Sequence, residues 1–174
     1  MTQTRIKMDQ NIILTLQKWR RPILSKILIG FTYSGTSRVW VTVALFLMAC
    51  NYAGIQLVIE QQLFLSAMFA PLFAWLSGYI LKKIFSRGRP SESIPGYLRI
   101  IKSPTCGSFP SSHTAAAVAF YVALQWISHP LALYVGLWAL IVSFSRLYLG
   151  VHYLTDIIGG AALGLGVAWI LTYI

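Results

Sequence analysis

Three short clusters in this chain combine cationic, hydroxyl and histidine residues at the ends of apolar stretches. They read Lys82-x6-Arg89-Pro90, Pro110-Ser111-Ser112-His113 and Ser145-Arg146-x5-His152-x3-Asp156. Arginine offers a planar fork that binds two oxyanion oxygens at once, and lysine adds a compact charge. Phosphoryl transfer spreads negative charge over three equatorial oxygens, so several cations converging on one point suit it. Lys82, Arg89 and Arg146 are therefore the expected phosphate clamp. His152 and Asp156 lie one helical turn apart and share a face. A carboxylate on one imidazole nitrogen fixes the tautomer and leaves the other nitrogen free as a nucleophile. Pro110-Ser111-Ser112-His113 has the pattern of a helix start, with a serine available as N-cap. The free N–H groups of such a turn form a phosphate seat, and His113 within it is placed to protonate a leaving oxygen.

Each feature has a plainer reading. Lys82 and Lys83 alone would pass for side chains snorkelling from a helix end, and Arg87 and Arg99 are assigned to that class. Arg146 follows an apolar run at a membrane boundary, where an ionisable group points to function. Gly160 and Gly164 continue the stripe of His152 and Asp156, and are read as packing positions under a neighbouring helix. His129 lies in a turn away from the three clusters and is given no catalytic role.

The elements that must position these residues are membrane helices. Of the 174 residues, 57% are hydrophobic and 10% charged, against about 25% charged in soluble domains; mean hydropathy is +0.68. Apolar stretches at 39–59, 62–81, 112–128, 130–149 and 154–174 approach the roughly 20 residues that span a bilayer. The fold class expected is all-α: an integral membrane bundle of about five transmembrane helices, preceded by interfacial helices. Residues 1–38 read as an amphipathic arm with an elbow at Pro22, and 39–174 as the transmembrane catalytic bundle of a single domain. No cleavable signal is expected, since residues 1–38 lack an unbroken apolar core. The loop 82–111, rich in proline and glycine, is long enough to be functional.

Counting crossings gives a test that the motifs did not build in. If loop 82–111 lies on one side, the helix after it leaves and the next returns, so Arg146 to His152 reach the same side. The N-terminal arm reaches it too. His129 falls on the opposite face.

Net charge is +10, with only Asp9, Glu60, Glu92 and Asp156 acidic. Four scattered carboxylates are too few for a two-metal or magnesium site, and no zinc-type Cys/His cluster exists. No metal or cofactor is expected. The positive charge calls for a polyanion nearby: anionic lipid headgroups, a phosphorylated substrate such as a membrane lipid, or both. Nucleic acid fits poorly, because the cations flank spans instead of forming a soluble basic domain.

In order and spacing, the three clusters resemble the signature of the type-2 phosphatidic acid phosphatase superfamily, with Ser112 where glycine is common. The resemblance implies that His152 is the nucleophile and forms a phosphohistidine, that Asp156 orients it and that His113 protonates the leaving group. It also implies that Lys82, Arg89, Ser111, Ser112 and Arg146 hold the phosphate without a metal. Substrates implied are lipid A 1-phosphate, undecaprenyl diphosphate, phosphatidylglycerophosphate or phosphatidate. Members of this family commonly have six spans; five are counted here, the chain starting at the interfacial helices that usually follow the first. All 14 Lys and Arg fall on the active side, which the positive-inside rule alone would place in the cytoplasm. The resemblance places it outside, on the periplasmic face of a bacterial inner membrane. The resemblance is followed, because phosphate and lipid headgroups account for the cations. Two alternatives use the same residues: a lipid phosphotransferase, or a non-catalytic protein that binds anionic lipid.

Overall fold

The computed structural model describes residues 3–53, 61–102, 106–126 and 128–171. Its helices, in chain order, are α1 (Gln3–Lys18), α2 (Pro22–Ser34), α3 (Ser37–Tyr52), α4 (Gln61–Phe85), α5 (Pro90–Ser93), α6 (Ser112–Trp126), α7 (Ala132–Tyr148) and α8 (Leu154–Leu171). There is no strand among the described residues. The all-α expectation holds. A tight turn near Glu60-Gln61 is expected to join the stretches 39–59 and 62–81, and residues 54–60 of it lie outside the described residues.

α6 is the central helix, packed against α4, α7 and α8. Its sequence explains that place. Ala115, Ala116, Ala117, Ala119 and Ala123 are all buried, and small side chains let backbones approach closely where lipid gives no hydrophobic drive to association. α8 meets it with Gly160 and Gly164. A Cβ at Gly160 would stand 2.5 Å from the Ser111 carbonyl oxygen, and one at Gly164 would stand 2.4 Å from that of Ala115. Both glycines are therefore packing positions between α6 and α8. The outer face of α7 is apolar and exposed, with Leu133, Tyr134, Leu137 and Leu140, as lipid-facing surface should be.

Helices occupy all five stretches expected to span. Among the described residues, however, only Leu154–Leu171 is both long and apolar enough to cross a membrane by that test alone. Ser37–Cys50 and Ala132–Tyr148 are shorter apolar helices. α6 has 15 residues, about 22 Å at 1.5 Å per residue. Its alanines face protein on nearly every side, which explains why hydropathy marks it weakly.

The N-terminal arm breaks between Lys18 and Pro22. Pro22 occupies the first turn of α2 behind Arg21, whose backbone is extended at φ −123°, ψ 139°; proline loses nothing there, because that N–H has no helical partner. The arm lies against the bundle. Ile13 packs in a buried cluster with Tyr97, Leu147, Tyr153 and Ile157, and Leu28 packs with Tyr148 and Leu149. Trp19 and Ile23 stay exposed on its outer side.

Arg20 departs from the expectation that the arm's cations serve lipid headgroups. Its Nε donates to the Tyr148 carbonyl at 3.0 Å, one terminal nitrogen donates to the Tyr97 hydroxyl at 2.7 Å, and the other bonds the Leu98 carbonyl. The elbow is thereby tied to the end of α7 and to the long loop. Gly150 completes the joint. Its φ is +81°, and a Cβ there would lie 2.6 Å from Arg20 Nη2 and 2.7 Å from the Tyr97 hydroxyl. Both the backbone and the space require glycine.

Candidate active site

The last turn of α4 presents Lys82, which is buried despite its charge. Its Nζ donates to the Ser108 carbonyl at 3.1 Å and also to that of Pro110. Arg89 caps the short helix α5, with its own N–H donating to Glu92 Oε2 at 2.9 Å. Its guanidinium is only 2% exposed and reaches the Val151 carbonyl at 2.8 Å and the Cys106 carbonyl at 3.3 Å. Burial lowers the basicity of this guanidinium below the ordinary arginine value, with partial relief from its partners. Two cations are thus seated on the backbone of loop 86–111 and of the turn that carries His152.

α6 begins at Ser112, with Ser111 as its cap: Thr114 Oγ1 and N donate to Ser111 Oγ at 3.0 and 3.4 Å. The Ser111 N–H donates to the Asp156 carbonyl at 2.9 Å, which joins the start of α6 to the start of α8. His113 follows in the first turn, half-buried. The charged and titratable groups around it are Arg146, His152, Lys82 and Arg89, drawn from three other parts of the chain. Loop 82–111, the start of α6 and the α7–α8 turn therefore do converge at one end of the bundle.

Arg146, in the last turn of α7, is buried. One terminal nitrogen donates to Thr32 Oγ1 at 3.2 Å, and Thr32 in turn meets Ser145 Oγ at 2.6 Å. Thr32 comes from α2, so the arm supplies a partner that the motifs did not suggest. His152 stands in the turn before α8, 1% exposed. Its Nδ1 is 3.4 Å from Asp156 Oδ2, paired in space but without a formed hydrogen bond. Burial, then the charges of Lys82, Arg146 and Arg89, hold the imidazole well below its ordinary pKa and therefore neutral. A neutral ring is the nucleophilic form.

Asp156 is held from two sides. Its Oδ2 accepts the Tyr153 N–H at 2.9 Å, as an acid in the first turn of a helix commonly does. Its Oδ1 accepts from Arg87 Nη1 at 2.6 Å. Arg87 also donates through Nη2 to Asp9 Oδ2 at 2.9 Å. The assignment of Arg87 as a snorkelling side chain is therefore corrected. Its two carboxylate partners lie 69 and 78 residues away in sequence, and nothing local to Arg87 announces them. The available signals were that Asp9 is one of only four acids, and that it shares a helix face with Ile13.

Four buried side-chain polar atoms among the described residues lack a hydrogen-bond partner: Trp40 Nε1, Ser112 Oγ, Arg146 Nε and His152 Nδ1. Three of these are on residues of the clusters, but they do not all face one point: His152 Nδ1 looks toward Asp156 Oδ2 at 3.4 Å, and Ser112 Oγ lies beside Gly78 of α4, where an added Cβ would meet it at 2.8 Å. Leaving a buried polar group unpaired costs about 1–3 kcal/mol. A cavity of about 330 Å³, lined in part by Lys82, Lys83, Arg87 and Gly107, adjoins the cationic side of the site.

Known proteins resemble this chain in part of its sequence and in its fold. The chain is 38% identical over 69 residues to phosphatidylglycerophosphatase B of Bacillus subtilis, covering 33% of this chain and 34% of that protein. It is 32% identical over 101 residues to a lipid A 4'-phosphatase of Bacteroides thetaiotaomicron, covering 54% and 45%. The matched stretch thus spans about a third to just under half of these relatives. In fold, it resembles the crystal structure of a transmembrane PAP2-type phosphatidylglycerolphosphate phosphatase from Bacillus subtilis, with a TM-score of 0.75 at 23% identity over 98% of this chain and 86% of that one. The sequence model of the PAP2 superfamily matches residues 61–174, from the start of α4 through every residue of the three clusters, and the chain belongs to that superfamily.

Proposed function

We propose that this chain is a membrane lipid phosphatase acting on a lipid phosphomonoester or pyrophosphate through a phosphohistidine. The observation that carries the reading is the meeting of three buried cations, Lys82, Arg89 and Arg146, around His152 and its partner Asp156. The names of the relatives support a lipid phosphate as substrate.

In the first step a ring nitrogen of neutral His152 attacks phosphorus, and the bond from phosphorus to the leaving oxygen breaks. His113 gives that oxygen a proton. Asp156 stabilises the positive imidazole ring that results. Lys82, Arg89 and Arg146, with Ser111, Ser112 and the first-turn N–H groups of α6, neutralise the equatorial oxygens. In the second step water attacks the phosphohistidine, the P–N bond breaks, His113 takes the proton, and phosphate leaves. No step calls for a metal.

The lipid tails remain in the bilayer while the headgroup enters the cationic end. The helices α3, α4, α6, α7 and α8 serve as five spans of one membrane domain. The site faces the periplasm, and the outer side of the arm rests among anionic headgroups. Lipid A 1-phosphate, undecaprenyl diphosphate, phosphatidylglycerophosphate and phosphatidate are the candidate substrates.

The test is phosphate release from a panel of these purified lipids in detergent, with EDTA present, using wild type beside His152→Ala. The expected result is release from at least one lipid by the wild type and none by the variant. Release that survives in His152→Ala would overturn the nucleophile assignment, and loss of wild-type activity in EDTA would overturn metal independence. Transfer of phosphate to a second lipid instead of water would make the protein a phosphotransferase.

A further inference from the structure

The carboxylate that faces His152 is controlled by Asp9 of the arm and by a residue at a position that the first motif leaves unspecified. Arg87 Nη1 binds Asp156 Oδ1 at 2.6 Å and Thr155 Oγ1 at 2.6 Å, and Nη2 binds Asp9 Oδ2 at 2.9 Å. The guanidinium also lies over the Tyr153 ring, 4.3 Å from its centroid. Asp9 is buried on α1 and reaches past Arg87 to the start of α8: it accepts the Thr155 N–H at 3.2 Å and the Thr155 hydroxyl at 2.5 Å. Each carboxylate oxygen of this cluster thus accepts a hydrogen bond, and Arg87 has its fork spread between two carboxylates.

We propose that Asp9 and Arg87 are positioning residues for the His152–Asp156 pair: Asp9 fixes Arg87, and Arg87 fixes the carboxylate with Oδ2 turned to the imidazole. The proposal rests on the reading of His152 as nucleophile. Geometry requires a holder. With Oδ1 occupied by Arg87 and Oδ2 held by the Tyr153 N–H, the carboxylate cannot rotate away from His152, and a small closure of the 3.4 Å gap completes the pair. Charge requires a counterweight. An isolated arginine at 2.6 Å would cancel the negative charge that Asp156 must lend to a phosphorylated imidazole. Asp9 shares the arginine, so the cluster of Asp9, Arg87 and Asp156 stays net negative beside the ring. The N-terminal arm is in this sense part of the catalytic apparatus, although it touches no reacting atom.

The two residues act on His152 with opposite sign. The charged and titratable groups facing the ring are Lys82 of α4, Arg89 of the loop, His113 of α6, Arg146 of α7 and Asp156 of α8. Removing the positive charge of Arg87 strengthens the negative side of this field and makes protonation of His152 easier. Removing the negative charge of Asp9 does the reverse.

The test uses the full chain in detergent, with Arg87→Gln, Asp9→Asn, the double variant and His152→Ala. The lipid is whichever one the wild type hydrolyses. A misplacement of about 1 Å at the reacting groups, caused by a change away from the chemistry, can cost about 100-fold in rate. For Arg87→Gln, kcat is expected to fall by about that factor with KM little changed, and the acid limb of kcat/KM to move to higher pH. For Asp9→Asn, kcat is expected to fall less, and the limb to move to lower pH. The double variant should resemble Arg87→Gln in kcat, since Asp9 positions Asp156 through Arg87, while the two charge changes offset and leave the limb near its wild-type position. A role confined to holding the arm in place would lower the yield or thermal stability of folded protein without moving the limb in opposite directions. Wild-type kcat and an unmoved limb in both single variants, with His152→Ala inactive, would overturn the proposal. An active His152→Ala would instead overturn the underlying reading. If Arg87→Gln does not purify as folded protein, the near-isosteric Asp9→Asn decides alone: an unchanged kcat and limb overturn the proposal.

Discussion

His152 combines burial, three neighbouring cations and a carboxylate that approaches without bonding. The first two keep the ring neutral in the free protein. Protonation is therefore confined to pH values below 6.5, its ordinary pKa, and activity should persist into mild acid. The acid limb of kcat/KM, which reports the free enzyme, is expected below pH 6.5: as pH falls through the lowered pKa, the nucleophile is lost. A limb at or above 6.5 would contradict the electrostatic account of this site. Ser112 gives a second prediction at this scale. Its hydroxyl is buried and unpaired, so Ser112→Ala removes an unsatisfied group. The folded protein should become no less stable, while KM rises if that hydroxyl binds phosphate. Thermal unfolding in detergent and steady-state kinetics check the two halves separately.

At the scale of elements, the interface of α6 with α8 sets the distance between His113 and His152, because one helix start carries the first and the other follows the second. Gly164→Ala would push a methyl group to within 2.4 Å of the Ala115 carbonyl oxygen. Overpacking of this kind costs about 1–3 kcal/mol. The expected outcome is a lower unfolding temperature together with reduced kcat, although residue 164 lies two turns from Asp156. A variant that kept wild-type stability would show the interface to be looser than its geometry. The helix ends and the side chains that meet at one end of the bundle were legible in the sequence, because lysine, arginine, histidine and serine at the edges of apolar runs stand out from their surroundings. Arg87, Asp9 and Thr32 were not. Each looks ordinary among its neighbours, and its meaning depends on a partner more than 65 residues away. Arg20 was misread for the same reason: an arginine beside a tryptophan in an amphipathic arm looks like a headgroup contact until Tyr97 and Tyr148 are placed against it.

For the whole molecule, the parity of crossings predicts that loop 82–111 and the α6–α7 turn lie on opposite faces of the membrane. In a chain with Cys50 and Cys106 replaced by alanine, a cysteine at Lys102 should react with a membrane-impermeant thiol reagent added outside intact cells. A cysteine at His129 should react only after the membrane is opened. The reverse pattern would place the site in the cytoplasm, where the positive-inside rule alone would have put it. Hydropathy could not settle the number of spans, since the central helix is built of alanines that meet other helices instead of lipid.

The joint at Gly150 ties together positions that are far apart in the chain. The absence of room for a Cβ depends on Arg20 in the arm and Tyr97 in the loop, while the φ of +81° disfavours any other residue whatever the space. Any change at one of the three therefore alters what the other two can be. An alanine at 150 finds room only after the arginine or the tyrosine has withdrawn, it stays strained by the positive φ even then, and once they withdraw the arm loses the Arg20 tie to the end of α7. As the sequence drifts, positions 20, 97 and 150 should change as a set or not at all.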